Sequence, residues 1–439
     1  MHTKGHPRNS LFGMNWNPAN VTLVIMLTLL FLIFLFLFLT LTAQPAMGQT
    51  FQVIYSFTGG TDGWWPSAGL TTDQAGNLYG TTAYSNDGNG VVFELQHASS
   101  GWVDRVLYNA DADVLSKVVF GPDGALYGTT CTTGSGSVFK LQRPAAACRN
   151  IPCPWTETTL YQFQGGSDGS CPSAEVTFDA AGNIFGTTLG LINNNGTVYE
   201  MTPSGDRWTE TVLHSFSGGA DGGHPGAGVI FDRNGNLYGT TENGGDGSCG
   251  FQGGCGVIFQ LVPSVSGWTE NVLYVFQGGA DGALPIGTLI SDQSGNMYGT
   301  SPGIGDYGGG FLGSGGSVYM MSPSNGGWSF SALLTLIKPA TCVQPTCGPW
   351  GGLVMDSAGS LYGTTRNDGA YGQGSVFKLT PSGGGWTYTT LHDFCAGGYP
   401  CSDGDQVFGS VVFDRAGNIY GTAGQGGAYG YGVVWEITP

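Results

Sequence analysis

One short motif recurs seven times along the chain, and this repetition constrains the fold more than any other feature. Its first copy reads Gly-Asn-Leu-Tyr-Gly-Thr-Thr, and successive copies begin 48 to 64 residues apart, at Gly76, Gly124, Gly182, Gly235, Gly295, Gly359 and Gly417. An Asp stands three residues before six of these glycines: Asp73, Asp179, Asp232, Asp292, Asp356 and Asp414. An Asp that caps turn amides, followed by a Gly that tolerates positive φ, is typical of a tight hairpin between two strands. We therefore assign these six aspartates a structural role in the turn.

Two further strand patterns accompany each copy of the motif. The first alternates Val or Ile with an aromatic residue, as in Val92–Leu95, and occurs seven times. The second is a Trp-led strand, as in Trp102–Tyr108, and occurs only six times. The missing seventh strand is at the other end of the chain, where Phe51–Phe57 matches the Tyr-x-Phe ending of the others.

These strands predict an all-β fold, a seven-bladed β-propeller with four strands per blade. Within a blade, strand A is the run before the Asp, such as Ala68–Asp73, strand B carries Leu-Tyr-Gly-Thr-Thr, strand C is the Val-aromatic strand and strand D is the Trp strand. The N-terminal strand then completes the last blade, which closes the ring and leaves no free sheet edge. A pair of β-sandwiches is the alternative, and a linear solenoid would not divide one repeat between its two ends.

Composition excludes several other classes of protein. The chain has 79 Gly among 439 residues, and glycine disfavours long helices. It has 13 Lys and Arg against 30 Asp and Glu, a net charge of −17, which argues against a nucleic-acid partner because phosphate contacts need basic clusters. At 41% hydrophobic residues it has ample material for a core.

The N-terminal region predicts export. Lys4 and Arg8 precede an uncharged stretch, Val21–Ala43, which is long enough to cross a bilayer and is also consistent with a long signal peptide. Ala46-Met47-Gly48 then forms a cleavage site. We expect residues 1–48 to be a signal peptide or a membrane anchor and residues 49–439 to form the propeller, which would be secreted, periplasmic or at the cell surface. Contact with a membrane would be only through the N-terminal segment.

All ten cysteines lie in the exported part, and an even number in such a chain indicates disulfides. Four pairs are close in sequence and one is left over: Cys148/Cys153, Cys249/Cys255, Cys342/Cys347, Cys395/Cys401 and Cys131/Cys171. Zinc thiolate sites are disfavoured because no C-x-x-C spacing occurs.

The loops between strands D and A carry the candidate binding residues. Four of them read Gly-Gly-x-Asp-Gly, and the loop face that they share would collect many of the acids. We expect cation or ligand contacts from Asp62, Asp168, Asp221, Asp281, Asp403, Trp64, Trp65 and His224, with Ca²⁺ as the cation that such loops would hold. The competing interpretation, which the repetition favours, is that Asp-Gly only makes a turn.

Catalytic groups are sparse. No G-x-S-x-G elbow occurs, and paired carboxylates on an acidic face are the one remaining hydrolytic option. We assign no catalytic residue.

The combination D-x-x-G-N-L-Y-G-T-T, G-x-V-F-x-L and W-T-x-x-x-L-Y-x-F-x-G-G-x-D-G resembles the GloVer tandem-repeat family of exported bacterial proteins over residues 51–439. The hairpin is also similar to that of NHL-type propellers, which include binding scaffolds and some hydrolases and lyases. The resemblance implies a propeller and brings no activity with it. Copies two and six depart from Gly-Gly-x-Asp-Gly, at 109–113 and 339–349.

The expected function is that of an exported, monomeric, non-enzymatic module that binds a glycan, a protein or a cation-bridged ligand on its acidic loop face. The alternatives are an extracellular hydrolase or lyase with carboxylates around the central channel, and a purely structural envelope protein.

Overall fold

A computed structural model describes residues 49–99, 101–132, 135–144, 155–190, 194–205, 207–245, 249, 253–304, 314–337 and 346–439, together with Met26 and Leu27. Thr50–Thr438 form one compact unit. Apart from Met26 and Leu27, the predicted signal peptide or anchor lies outside the described residues. Within the described part of the chain, no helix is long and apolar enough to span a membrane.

The unit consists of seven antiparallel sheets, each with four strands in the order A-B-C-D, and this confirms the seven-bladed propeller. Strands A are Thr71–Thr72, Val119–Phe120, Thr177–Phe178, Ile230–Phe231, Ile290–Ser291, Val354–Met355 and Val412–Phe413. Strands B are Leu78–Thr82, Leu126–Thr132, Ile184–Thr188, Leu237–Thr241, Met297–Ile304, Leu361–Thr365 and Ile419–Ala423. Strands C are Val91–Ala98, Ser135–Gln142, Thr197–Ser204, Val257–Ser264, Ser314–Ser324, Ser375–Ser382 and Val433–Thr438. Strands D of blades 1 to 6 are Gly101–Asn109, Thr156–Phe163, Arg207–Ser215, Gly267–Val275, Gly327–Ile337 and Gly385–Asp393. A further strand, Thr346–Cys347, pairs with strand B of blade 5.

The N-terminal strand closes the ring, as the missing seventh Trp strand predicts. Thr50–Ser56 is strand D of blade 7 and pairs antiparallel with Val433–Thr438. One bulge interrupts every C–D ladder at the same position, between Val53 and Tyr55 in this blade. A bulge increases the local twist of a sheet, so its repetition gives all blades the same shape.

The core is divided among the blade junctions. Each of seven buried clusters joins two neighbouring blades. At the junction of blades 7 and 1, Phe57, Leu70 and Phe93 pack with Tyr420 and Val434. Because a blade exposes this apolar surface when its neighbour is missing, the blades stabilise one another around the ring.

Strand A is shorter than predicted, since the ladder begins at Thr71 and not at Ala68. The carbonyl of Ala68 accepts a hydrogen bond from Thr422 Oγ1 of blade 7 at 2.9 Å, so it is turned towards the neighbouring blade and is not part of a ladder. The first Thr of Gly-Thr-Thr makes the same bond at five other junctions, where the donors are Thr81, Thr129, Thr187, Thr300 and Thr364. These hydroxyls form a belt of hydrogen bonds around the central channel.

Three predicted disulfides are confirmed. Cys131–Cys171 joins blades 2 and 3, while Cys249–Cys255 and Cys395–Cys401 each close a short loop. Cys347 is also disulfide-bonded. Its predicted partner Cys342 lies outside the described residues, and so do Cys148 and Cys153. This many disulfides is compatible with an exported protein.

Candidate functional site

The predicted ligand aspartates of the D–A loops are bonded within their own loops. Asp62 accepts hydrogen bonds from the amides of Thr58 and Gly60 at 2.7 and 3.1 Å, and from Tyr55 Oη at 3.0 Å. Asp168 and Asp281 repeat this pattern of two amides and one Tyr hydroxyl. Asp221 accepts a hydrogen bond from the amide of Ser217. Asp403 accepts one from the amide of Cys395, and it lies 2.9 Å from His392 Nε2. Asp62 is only 6% exposed. Across the described ranges, no group of three or more His, Cys, Asp or Glu is arranged to hold a metal ion.

The aspartates of the A–B hairpins are bonded in an equally regular way. Asp73 Oδ1 accepts the amides of Ala75 and Asn77 at 2.8 and 3.0 Å, and Oδ2 accepts Asn77 Nδ2 and Tyr79 Oη. Burial opposes ionisation of this carboxyl, but the hydrogen bonds from Asn77 and Tyr79 outweigh it and lower its pKa. Asp179, Asp232, Asp292, Asp356 and Asp414 make the same two amide contacts.

Trp65 and His224 occupy equivalent positions with a left-handed backbone. Their φ angles are 61° and 56°, and Cys171, Leu284 and Gln406 share the position. The amide of Trp65 bonds to Tyr431 O of the preceding blade, while its carbonyl accepts the amide of Ala83 in its own blade. His224 makes the equivalent pair of bonds. The positive φ therefore lets one residue link two blades, a role that stabilises an otherwise costly conformation.

The loop aromatics Trp64 and Trp65, from which ligand contacts were expected, are half-buried. Trp64 packs against Tyr84, with ring centroids 4.7 Å apart, and Trp65 stacks on Phe408 at 5.9 Å. His224 Nδ1 lies 3.2 Å from Asn243 Nδ2. Of these three residues, only Trp65 lines the cavity that is bounded by the segments preceding the strands A.

That cavity is the mouth of the central channel, and it has a volume of about 400 Å³. Three consecutive residues before each strand A line it, one set from every blade: 67–69, 115–117, 173–175, 226–228, 286–288, 350–352 and 408–410, with Gly228 as the one member outside the lining. The middle residue of each set is Ala, Ser or Gly. At six of the seven junctions, the backbone carbonyl of this residue accepts a hydrogen bond from the Thr hydroxyl of the belt. The middle position is therefore structural, while the flanking positions determine the chemistry of the cavity.

The flanking positions, together with Trp65 and Glu242 from neighbouring segments, make the cavity two-sided. Blades 5, 6, 7 and 1 contribute an apolar arc of Ile286, Trp350, Phe408 and Trp65. Blades 2, 3 and 4 contribute a charged arc of Lys117, Glu175 and Glu242. The remaining lining is mostly Gly, Ala and Ser, so a ligand can reach both arcs.

Two charged side chains follow the Gly-Thr-Thr motif directly. Burial raises the pKa of Glu242 to about 7, so an appreciable fraction of this carboxyl is protonated at neutral pH. A Cβ on Gly226 would lie 2.2 Å from Glu242 Oε1, so this glycine makes room for the carboxyl. The guanidinium of Arg366 lies 4.9 Å from the Trp350 ring and 4.6 Å from the Phe408 ring, and these cation–π contacts anchor it beside the apolar arc.

Among the residues that line this cavity, Trp65 is the one that the sequence patterns indicated as a binding residue. The cavity could have been found in the sequence from differences between the repeats. The residue after Gly-Thr-Thr is small or apolar in five blades and is charged only at Glu242 and Arg366. Such a departure from the repeat has no role in the shared backbone, so it marks a position free to serve a ligand.

Comparison with known proteins finds one matching repeat family and several solved structures of low similarity. The model of the Gloeobacter/Verrucomicrobia repeat matches residues 116–341, just over half of the chain. No curated protein matches. Solved structures similar to the chain include a nidogen/laminin complex, with 16% identity, a TM-score of 0.40, and coverage of 72% of this chain and 93% of the other. A putative oxidoreductase (glucose dehydrogenase) from Thermus thermophilus shows 13% identity, a TM-score of 0.42, and coverage of 89% and 100%. A luciferin-regenerating enzyme shows 12% identity, a TM-score of 0.43, and coverage of 78% and 99%.

Proposed function

The chain belongs to the Gloeobacter/Verrucomicrobia repeat (GloVer) family, and from that premise we propose that it is an exported, non-enzymatic propeller that binds a glycan at the mouth of its central channel. One sugar residue of the glycan enters the cavity. The Gly-Gly-x-Asp-Gly loops maintain the shape of the cavity rim and do not contact the sugar.

The observation that carries this proposal is the division of one cavity into an aromatic arc and a charged arc. A pyranose ring has an apolar C–H face and a rim of hydroxyls. The face would pack on Trp350 and Phe408, and the hydroxyls would bond to Lys117, Glu175 and Glu242. A cavity of about 400 Å³ falls within the size of pockets that bind small ligands.

The D–A loops support the site indirectly. Because the carboxylate of Asp62 already accepts four hydrogen bonds and those of Asp168 and Asp281 three each, little of their accepting capacity remains for a ligand. The cavity side chains Lys117 and Glu175 form no ion pair with any described residue, so a ligand can use them.

Calorimetric titration with a panel of neutral and uronate-containing oligosaccharides tests the proposal. We expect at least one member to bind, and Trp350→Ala and Glu175→Gln each to weaken that binding by about tenfold or more, as loss of an aromatic or charged contact in a desolvated pocket does. The matched controls are Tyr388→Ala and Glu200→Gln, which change an aromatic residue and an acid on strands away from the cavity. Binding by no member of the panel, or equal losses in the cavity variants and the controls, would refute it.

A second candidate function is favoured by Glu242 alone. A carboxyl with a pKa near 7 in the same cavity as a second acid, Glu175, is what a general acid in glycoside hydrolysis requires. Release of new reducing ends from the bound oligosaccharide, lost in Glu242→Gln while binding persists, would establish hydrolysis in place of simple binding.

A further inference from the structure

A single position on strand D meets the preceding blade at six of the seven junctions. It lies four residues before the Tyr, His or Leu near the end of that strand. In blades 5, 6 and 7 it is aromatic. Phe330 stacks on Tyr274 at 4.0 Å and Phe51 stacks on His392 at 3.6 Å, each across a junction, while Tyr388 stacks on Phe377 of its own blade at 5.8 Å. We call it the junction position. Ring stacking at two junctions establishes that this position is the contact between neighbouring outer strands.

Four blades place an acid at the junction position: Asp104, Glu157, Glu210 and Glu270. In three of them the acid faces the aspartate of a Gly-Gly-x-Asp-Gly loop. Asp104 interacts with Asp62, Glu210 with Asp168 and Glu270 with Asp221. Each of these three acids also has one buried carboxyl oxygen without a hydrogen-bond partner among the residues that the structure describes: Oδ1 of Asp104, Oε1 of Glu210 and Oε1 of Glu270.

We infer that Asp104, Glu210 and Glu270 each hold a proton in the folded protein. Three blade junctions are then proton-binding sites, and lowering the pH stabilises the contact between their blades. Two ionised carboxylates in contact repel each other, and a buried charged oxygen without a donor is costly. A proton on the junction acid removes both penalties.

The proton belongs to the junction acid and not to the loop aspartate. At the junction of blades 7 and 1, Asp62 accepts two backbone amides, which favour its ionised form. Tyr55 Oη has one hydrogen and donates it to Asp62 at 3.0 Å. Asp104 also contacts the Tyr55 hydroxyl, and a protonated Asp104 donates to its oxygen. The chain Asp104–Tyr55–Asp62 then has one donor for each acceptor.

Other charged groups around these acids leave the assignment unchanged. Next to Asp104 in the chain, Arg105 lies 3.7 Å from the buried Glu94 and forms an ion pair with it. Glu210 faces Tyr161 and Tyr199, both neutral at physiological pH. Near Glu270 and Asp221, burial lowers the pKa of His214 despite the nearby Asp221 charge, so this imidazole supplies no positive charge at neutral pH.

Titration behaviour follows from these contacts. Burial first, and then the charge of the facing aspartate, raises the pKa of each of the three junction acids to about 7. In the unfolded chain an Asp or Glu releases its proton near pH 4. Between about pH 4 and 7 the folded state therefore binds more protons than the unfolded state, and stability falls as pH rises through this range. The junction of blades 7 and 1 is among the affected sites, so neutral and alkaline pH weaken ring closure.

Denaturant unfolding of the full protein at pH 5 and pH 8 tests the inference. For the wild type we expect the unfolding equilibrium constant to be larger at pH 8, by about 80-fold for each junction acid whose pKa moves from about 4 in the unfolded chain to about 7 in the folded one. Asp104→Asn, Glu210→Gln and Glu270→Gln mimic the protonated carboxyls, so each should remove its share of this difference and raise stability at pH 8.

Glu157→Gln is the matched control. Glu157 occupies the junction position of blade 2, but its carboxylate accepts the hydroxyl of Thr159 at 2.9 Å, and the preceding blade has no Gly-Gly-x-Asp-Gly loop. This variant should keep the wild-type pH dependence. Difference infrared spectra between pH 5 and pH 8 provide a second test: carboxyl protons should leave near pH 7 in the folded wild type and also in folded Glu242→Gln, which lacks the cavity carboxyl with a similar pKa. Equal or greater stability at pH 8, equal slopes for Glu210→Gln and Glu157→Gln, or carboxyls fully ionised at pH 5 would each overturn the inference.

Discussion

Replacing Thr422 by Val tests the hydrogen-bonded belt that joins the blades around the channel. The Thr422 hydroxyl is buried and donates to Ala68 O at 2.9 Å, a bond between the last blade and the first. Valine has nearly the same shape and cannot donate, so the Ala68 carbonyl would lose this partner in a buried setting. A lost hydrogen bond that leaves a buried acceptor unsatisfied costs about 1–3 kcal/mol of unfolding free energy.

Thr240→Val is the matched control for this experiment. Thr240 is the equivalent residue of blade 4, and it is equally buried, but its Oγ1 has no hydrogen-bond partner among the described residues. Removing an unpaired buried hydroxyl should be neutral or slightly stabilising. Chemical denaturation is the assay of choice, because for a ring of this size 1 kcal/mol shifts the melting temperature by only about 1 °C. Equal effects of the two substitutions would refute the claim that these hydroxyls join the blades.

Three further predictions concern glycine, disulfides and acid. Gly432→Ala should cost several times more unfolding free energy than Gly88→Ala. Both glycines have positive φ, but a Cβ at Gly432 would lie 2.5 Å from Pro66 Cδ of blade 1, whereas Gly88 has open space. A difference near zero would refute the close packing of these blades. Removing Cys131–Cys171, which spans 40 residues, should cost about 4 kcal/mol of unfolding free energy, against about 2 kcal/mol for Cys395–Cys401, which spans 6. Denaturation of the two double Ser variants measures these losses, and the reverse order would contradict the loop-closure argument. Hydrogen bonds lower the pKa of Asp73, Asp232, Asp292 and Asp356 against the opposing effect of burial, so their stabilisation is present above about pH 4 and lost below it; a denaturation midpoint at pH 2.5 that equals the midpoint at pH 4.5 would refute this.

The ring could be predicted because its information is repeated in the sequence. The motif around Tyr79 and Gly80 has one backbone role in every blade, and the Trp strand absent from the seventh repeat is supplied by Phe51–Phe57. The extent of strand A could not be predicted from the pattern. The carbonyl of Ala68 bonds to a residue 354 positions away, and this contact arises only when the ring closes.

The candidate site was harder to predict, because repetition marks what the fold needs and not what a ligand needs. Asp62 and its equivalents recur because they cap a turn, so their conspicuous pattern pointed to the loops. Glu242 and Arg366 both follow Gly-Thr-Thr, where the other five blades have a small or apolar residue, and Lys117 stands at a position where Glu175 is the one other charged residue. The direction of the Trp65 side chain depends on a positive φ, which the sequence pattern does not predict.

Hydrogen–deuterium exchange, with and without the tightest-binding oligosaccharide of the panel, tests the central claim most directly. If the glycan occupies the channel mouth, protection should be concentrated in the segments before the strands A, above all 115–117, 173–175, 350–352 and 408–410, and in the turns that carry Glu242 and Arg366. The Gly-Gly-x-Asp-Gly loops around Asp62, Asp168 and Asp281 should exchange as before. Protection confined to those loops, with the channel segments unchanged, would contradict the account.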